Sequence, residues 1–158
     1  MTSPLTVPSP AQMLPWNLAQ LIVTLGAFPI SRGAGASGYG PDVVLTIKQP
    51  KKDVINVEGA DGTVTTCMTN SVLTEFELTV LQSNSPTSGY LSTIRIAQKA
   101  AGAVLALPLV IQDLNGTTYF QSNQTWVMGP PDQEFKVEAG PRVWSLSAIS
   151  VVNFLGGN

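Results

Sequence analysis

The sequence contains no histidine and only one cysteine, Cys67. Without histidine, the commonest general base and the usual metal ligand near neutral pH are missing. One cysteine cannot form an internal disulfide, a zinc site or a Cys–His nucleophile. We therefore predict a protein that is not an enzyme and has no metal or cofactor, with Cys67 as a small buried apolar residue.

Charge is also scarce, because charged residues make up 11% of the chain and apolar residues 44%, whereas soluble domains carry about 25% charged residues. A surface this neutral favours association, so we expect much of it to be covered by copies of the chain or by partners. The net charge is −2, and the longest basic run is Lys51-Lys52. Tight binding of nucleic acid is therefore disfavoured.

Long apolar runs are absent too, and the N-terminus has Pro, Ser and Thr where a signal peptide would have Lys or Arg. We expect a protein that is made in the cytoplasm and has no membrane partner. The length of 158 residues fits one domain, over 18–158. Prolines crowd residues 1–17 and predict an extended arm. Its Leu14 and Trp16 could contact a neighbouring subunit or lie on the chain's own domain.

Runs rich in β-branched and large apolar residues predict a mainly β fold. Asp61-Gly62 supplies the turn of a tight hairpin, and the strands after 43 read as a meander. Asn115-Gly116 and Pro130-Pro131 separate the later strands. The predicted strands cover 19–30, 43–48, 54–57, 63–68, 75–80, 107–112, 119–128 and 142–154.

The strand 75–80 alternates strictly between polar and apolar residues. Phe76, Leu78 and Val80 should face the core, while Glu75, Glu77 and Thr79 share the other face. We expect that face to remain polar and accessible, because two carboxylates are costly to bury unpaired. Catalysis by this glutamate pair is disfavoured, since the sequence offers no activating partner.

One helix is predicted after this strand. Ser85 is a good N-cap, Pro86 suits the first helical position, and Leu91, Ile94 and Ala97 recur at helical spacing. Gly102 can end the helix.

Residues 31–41 contain four glycines and predict a long mobile hairpin loop. Residues 33–38 match the glycine pattern of dinucleotide-binding proteins, and Glu58 lies at about the expected distance of 20 residues. That motif requires a helix after the glycines. Pro41 and Val43 follow instead, so we interpret the segment as a loop.

From residue 42 onward the chain resembles the tail tube proteins of contractile-tailed bacteriophages. The resemblance rests on a short strand with a Gly-Ala-Asp-Gly turn, a strand that leads into the one helix, and a series of later strands and turns in the same order. These segments are 57–65, 76–86, 108–116, 126–131, 135–140, 142–147 and the Gly-Gly-Asn end. The arm and the glycine-rich loop depart from the family pattern.

The resemblance implies a small β-sandwich or half-barrel with one flanking helix, whose strands join into a barrel across a hexameric ring. Rings would stack into a tail tube in the virion, with sheath, baseplate and terminator proteins as partners and DNA passing through the lumen without specific binding. From the residues themselves, we expect the face with Glu75, Glu77 and Thr79 to border the lumen or solvent, because two carboxylates are costly to bury unpaired. We also expect the glycine-rich, neutral loop to contact the next ring through Arg32, Gly33, Gly35, Gly38, Tyr39 and Gly40.

Two alternatives remain open from the sequence. One is a related ring component of the tail end, from the baseplate or the terminator, that does not polymerise. The other is a small β-barrel carrier or lectin-like module in which Trp126 and Trp144 line a ligand pocket. We favour core packing for these two tryptophans, because large aromatic side chains mostly stabilise interiors.

Overall fold

The computed structural model describes residues 21–31, 45–82, 85–135, 137–138 and 140–156. Within these ranges the chain is mainly β with one helix, which confirms the predicted fold class. The elements are β1 (Leu21–Leu25), β2 (Phe28–Ser31), β3 (Leu45–Lys48), β4 (Val54–Glu58), β5 (Val64–Met68), β6 (Leu73–Leu81), α1 (Ser85–Ala101), β7 (Leu107–Asp113), β8 (Tyr119–Gly129) and β9 (Pro141–Phe154).

Seven strands form one antiparallel sheet in the order β2-β1-β7-β8-β9-β6-β3, and β4 and β5 pair separately. The sheet curls strongly, since Ile30 of β2 and Leu45 of β3 line the same small cavity although their strands are at opposite ends of the order. Phe76 of β6 and Leu146 of β9 also line it. The curled sheet is a half-barrel, as the family resemblance implied.

The core fills the inside of this half-barrel with every second residue of the long strands. In β6, buried and half-buried residues alternate along the whole strand, which confirms the prediction for Phe76, Leu78 and Val80. The ring of Phe76 meets that of Phe120 edge to face, with 4.8 Å between ring centroids and 72° between planes. The same alternation places Glu75, Glu77 and Thr79 on the outer face.

Helix α1 packs on the core through Leu91 and Ile94. Tyr90 stacks on Phe28 with ring centroids 4.4 Å apart, and its hydroxyl donates to the Leu25 carbonyl at 3.1 Å. Ala97, expected on the same face, is exposed. Because an α-helix has 3.6 residues per turn, Gln98, rather than Ala97, lies two turns after Leu91 on the same face. Gly102 follows the helix with φ +62°, so the predicted C-terminal stop is confirmed.

The single strand expected over 19–30 is wrong, because the chain folds there into the hairpin β1–β2. Leu25 pairs with Phe28, which leaves a two-residue turn at Gly26 and Ala27. Gly26 has φ +62°, and glycine at the first turn position allows the tight turns that match strand twist. An unbroken apolar run concealed this turn from the sequence pattern.

Replacing Gly26 with alanine should lower the free energy of unfolding by about 1–2 kcal/mol, since an L-residue is strained at positive φ. A Cβ there would also lie 3.1 Å from the Tyr90 hydroxyl oxygen. Urea unfolding followed by tryptophan fluorescence measures the change. Gly129→Ala is the matched control, because nothing lies within 4 Å of its Cβ position. Equal stability of the two variants would contradict the turn geometry.

The predicted meander is also wrong. β3 pairs with β6, whereas β4 and β5 pair with each other. The Asp61-Gly62 turn of that hairpin is confirmed, with Gly62 at φ +83°. β2 and β3 are not neighbours in the sheet, so the segment between them does not connect adjacent strands as a hairpin loop.

Candidate functional site: surfaces for assembly

The hairpin β4–β5, which we call the ribbon, exposes every one of its strand residues. Apolar side chains occur on both faces, with Val57 57% and Met68 81% exposed. A two-stranded hairpin is marginally stable in water unless it packs on something else. The ribbon is therefore an apolar surface with nothing over it in the described part of the subunit.

Local hydrogen bonds hold the ribbon turn. The Asp61 Oδ1 accepts the Thr63 hydroxyl at 2.6 Å and the Thr63 N–H at 3.1 Å, and these bonds lower the pKa of the Asp61 carboxyl below its ordinary value. At the other end, the Thr69 N–H donates to the Asp53 carbonyl at 2.6 Å. These bonds fix the two ends of the ribbon but add no apolar packing to it.

Cys67 lies on this ribbon, opposite Ile55, and is exposed. The prediction that it is buried is wrong. Its strand has the composition of a half-buried strand, but the ribbon does not join the sheet that holds the core.

The strands β2 and β3 form the two edges of the half-barrel, each with one paired neighbour among the described residues. At such an edge a further strand can add to the sheet. Both edges are four residues long, and Pro29 removes one donor from β2, as is common at sheet edges. A short edge strand and an edge proline both limit indiscriminate pairing with other chains.

On the outer face of β6, Glu75, Glu77 and Thr79 are half-buried. The Lys48 Nζ lies 2.6 Å from the Glu77 Oε1, and the two side chains are 49% and 40% exposed. Such an exposed pair contributes at most about 1 kcal/mol. Ser145 and Ser147 of β9 lie opposite Glu77 and Glu75. The structure thus brings the predicted carboxylates together beside two serines, with Val143 opposite Thr79 and Trp126 opposite Ser147 on the same face.

A second apolar surface, missed from the sequence, lies at the end of β9. β6 pairs with β9 only as far as Ile149, whereas β8 pairs with it up to Phe154. Val151, Phe154 and Leu155 are 58%, 57% and 69% exposed. The sequence does contain a signal for this surface. Consecutive apolar residues occur at Val151-Val152 and Phe154-Leu155, and neighbours along an extended chain point to opposite faces.

The two tryptophans do not share a pocket. Trp144 is buried in the core, as predicted, whereas Trp126 is half-buried between buried Thr125 and Val127 and so faces the outer side. The apolar cavity inside the half-barrel holds only about 10 Å³, roughly the space of one water molecule. The geometry gives no support to the carrier alternative.

The described residues contain no group of three or more His, Cys, Asp or Glu that could hold a metal ion. In the same ranges, no helix has the length and apolar character needed to cross a membrane. The predicted contact residues Leu14, Trp16, Arg32, Gly33, Gly35, Gly38, Tyr39 and Gly40 lie outside the described residues, and their roles stay predictions.

These surfaces define a β half-barrel with two edge strands and an apolar ribbon that no other element covers in the described ranges. The same fold occurs in solved structures of an extracellular contractile injection system, PVC. A chain of its sheath/tube terminator in the extended state is 17% identical, with a TM-score of 0.50 over 85% of this chain and 92% of that one. A chain of its sheath-tube complex in the extended state is 12% identical, with a TM-score of 0.50 over 94% and 97%.

No family model and no curated protein matches the sequence significantly. At these identities the structural likeness establishes the fold. The structure therefore confirms the fold that the resemblance to contractile-tail proteins implied. The solved structures that share this fold come from an extracellular contractile injection system.

Proposed function

We propose that this chain is the tube subunit of a contractile phage tail, which closes into hexameric rings that stack into the channel for DNA. The main support is the ribbon, whose strand residues are all exposed although several are large and apolar. Neighbouring copies that cover the ribbon remove this apolar surface from water. Sheath, baseplate and terminator proteins are the expected partners at the outside and the ends.

The two edges of the half-barrel support ring closure. β2 and β3 are different surfaces, so a β2-to-β3 contact between copies is heterologous and can repeat until a ring closes. Pairing of this kind removes the open edges and continues the sheet from subunit to subunit. A curled sheet then becomes part of a larger barrel.

The polar outer face supports a water-filled lumen. Glu75, Glu77 and Thr79 keep it hydrophilic, and its described cation, Lys48, is paired with Glu77. A face of this composition offers DNA phosphates little attraction, since phosphate affinity depends on unpaired Lys and Arg. DNA could therefore slide without being held.

Negative-stain microscopy and sedimentation velocity of the purified chain over a range of concentrations test the proposal. We expect rings at low concentration and tubes at high concentration. A strictly monomeric protein under every solution condition contradicts it.

The second candidate, a tail terminator, is supported by the likeness to a sheath/tube terminator chain. A terminator should form closed rings that do not elongate. Rings that never become tubes, at any concentration of the purified chain, would favour it.

We further propose that the loop 31–41 contacts the adjacent ring and orders only on stacking. Deletion of residues 33–40 should leave the urea midpoint of the monomer unchanged but block tube growth, because the inter-ring contact is lost. A variant with the same residues replaced by Gly and Ser controls for loop length. Normal tube growth after the deletion would rule out this role.

A further inference from the structure

Strand β9 extends beyond its neighbour β6. On that side of β9, the last backbone bond within the described residues runs from the Ser150 N–H to the Val72 carbonyl, at 2.8 Å. On the opposite side, β8 stays paired up to Phe154. The β6 side of residues 151–154 therefore has no ladder partner in the described part of the chain. We call residues 151–155 the β9 end.

The β9 end is exposed at every residue. Its sequence, Val-Val-Asn-Phe-Leu, contains no charge and has apolar side chains on both faces. A strand edge of this kind can receive a further strand, because main-chain hydrogen bonds and contacts between neighbouring side chains then act together. The length of the free edge suits a strand of four or five residues.

Strand β5 of the ribbon matches this site in length and chemistry. It has five residues, from Val64 to Met68, and none of them is charged. One side of β5 pairs with β4, and its other side has no neighbouring strand among the described residues. The edge strands β2 and β3, by contrast, already pack on the core. The ribbon is therefore the described segment that lacks both a packing partner and a sheet to join.

We propose that β5 of one copy adds to the β9 end of a neighbouring copy, on the side of β9 that β6 leaves free. The apolar side chains of β5 then lie beside those of the β9 end on both faces of the extended sheet. Neither strand contains a charge that this pairing would desolvate. This contact rests on the proposed self-assembly and names the surface that receives the ribbon.

The position of the two strands fits a ring. Residues 69–72 lead from the ribbon into β6, and Val72 is bonded to Ser150, where the free edge begins. The base of the ribbon and the β9 end of one copy are therefore adjacent. Rotation about a ring axis leaves height unchanged, so the ribbon base of one copy and the β9 end of the next lie at the same height. Strands of five residues extend the ribbon by about 17 Å.

Cross-linking between two single-cysteine proteins tests the contact in the full chain. One protein keeps exposed Cys67, which lies in β5. The other carries Cys67→Ser with Val151→Cys. The two are mixed, assembled and treated with a short bismaleimide, and a covalent dimer is expected at several times its level in either protein alone. Met128→Cys, an exposed residue near the other end of β8, replaces Val151→Cys in the control and should give no such increase.

Maleimide labelling identifies the segment that covers the β9 end. In the protein with Cys67→Ser and Val151→Cys, the reagent should react at least about tenfold more slowly in assemblies than in dissociated subunits, because the added strand shields the site. Slow labelling already in the dissociated subunit would show that the chain's own arm, residues 1–17, covers the β9 end. That result overturns the inference.

Coupling between the two strands provides a third measurement. Val64→Thr with Met68→Thr, and separately Val151→Thr with Phe154→Thr, should each raise the concentration required for assembly by about tenfold, because apolar contact is lost. If the strands contact each other, the combined variant should raise it by far less than the product of the two effects.

The outcomes separate this contact from the proposed function. Assembly without the cross-link between Cys67 and Val151→Cys, and with effects that multiply in the combined variant, overturns the inference while the proposed function stands. A protein that never assembles overturns both.

Discussion

Replacing Phe76 with alanine should lower the free energy of unfolding by about 3–5 kcal/mol, the largest effect we expect from one substitution. The side chain is 1% exposed and contacts the ring of Phe120. It also lines the apolar cavity where the two ends of the curled sheet approach. Its loss would enlarge a space that β-strands held in ladder pairing on both sides cannot collapse to fill.

Urea unfolding at a concentration where the protein is monomeric measures this effect, with the fluorescence of buried Trp144 as the signal. Phe135→Ala is the matched control, because Phe135 is 78% exposed and should change the free energy of unfolding by less than about 0.5 kcal/mol. A loss below 1 kcal/mol for Phe76→Ala would show that the half-barrel does not close over this residue.

Regular alternation made β6 predictable from the sequence, because its environment changes at every residue between core and outer face. Helix α1 was also predictable, because its signals, Ser85, Pro86 and Gly102, are local in the sequence. The pairing of β3 with β6 was not, because Leu45 and Leu78 are distant in sequence. Strand order depends on such long-range contacts, which hydrophobic periodicity does not encode.

The surfaces for assembly were predictable only in part. Low charge indicated a covered surface, and the glutamates of β6 are together on one polar face as expected. The ribbon was read as part of the sheet, because Val64 and Cys67 have the composition of a packed strand. A discriminating signal was present in Val54-Ile55 and Val57, which put apolar side chains on both faces of a short hairpin strand.

Changing the apolar ribbon residues to threonine should prevent assembly while the subunit still folds. The variant carries threonine at Val54, Ile55, Val57 and Val64, which are 46–61% exposed. Threonine keeps the branched Cβ that strands favour and puts a hydroxyl in place of a methyl group of valine or of the ethyl group of isoleucine. The free energy of unfolding of the monomer should therefore change by less than about 1 kcal/mol, because little apolar contact is lost in the isolated subunit.

In the assembly the same residues should be buried, and the loss becomes large. Completing the burial of a half-exposed valine or isoleucine is worth about 1 kcal/mol. If one face of the ribbon is covered, each contact loses about 2–3 kcal/mol, which corresponds to about a hundredfold weaker association. Contacts repeat around a ring, so rings and tubes should disappear from micrographs at concentrations where the unmodified protein forms them.

Ile96→Thr is the matched control for this experiment. Ile96 is 63% exposed on α1, and its replacement by threonine removes the same kind of apolar surface. Its assembly should be unchanged if the ribbon is the surface that neighbouring copies cover. If the four-threonine variant forms tubes at the concentration where the unmodified protein does, the contact that drives assembly lies elsewhere. In that case neighbouring copies do not cover the ribbon, and its apolar side chains do not stabilise the assembly.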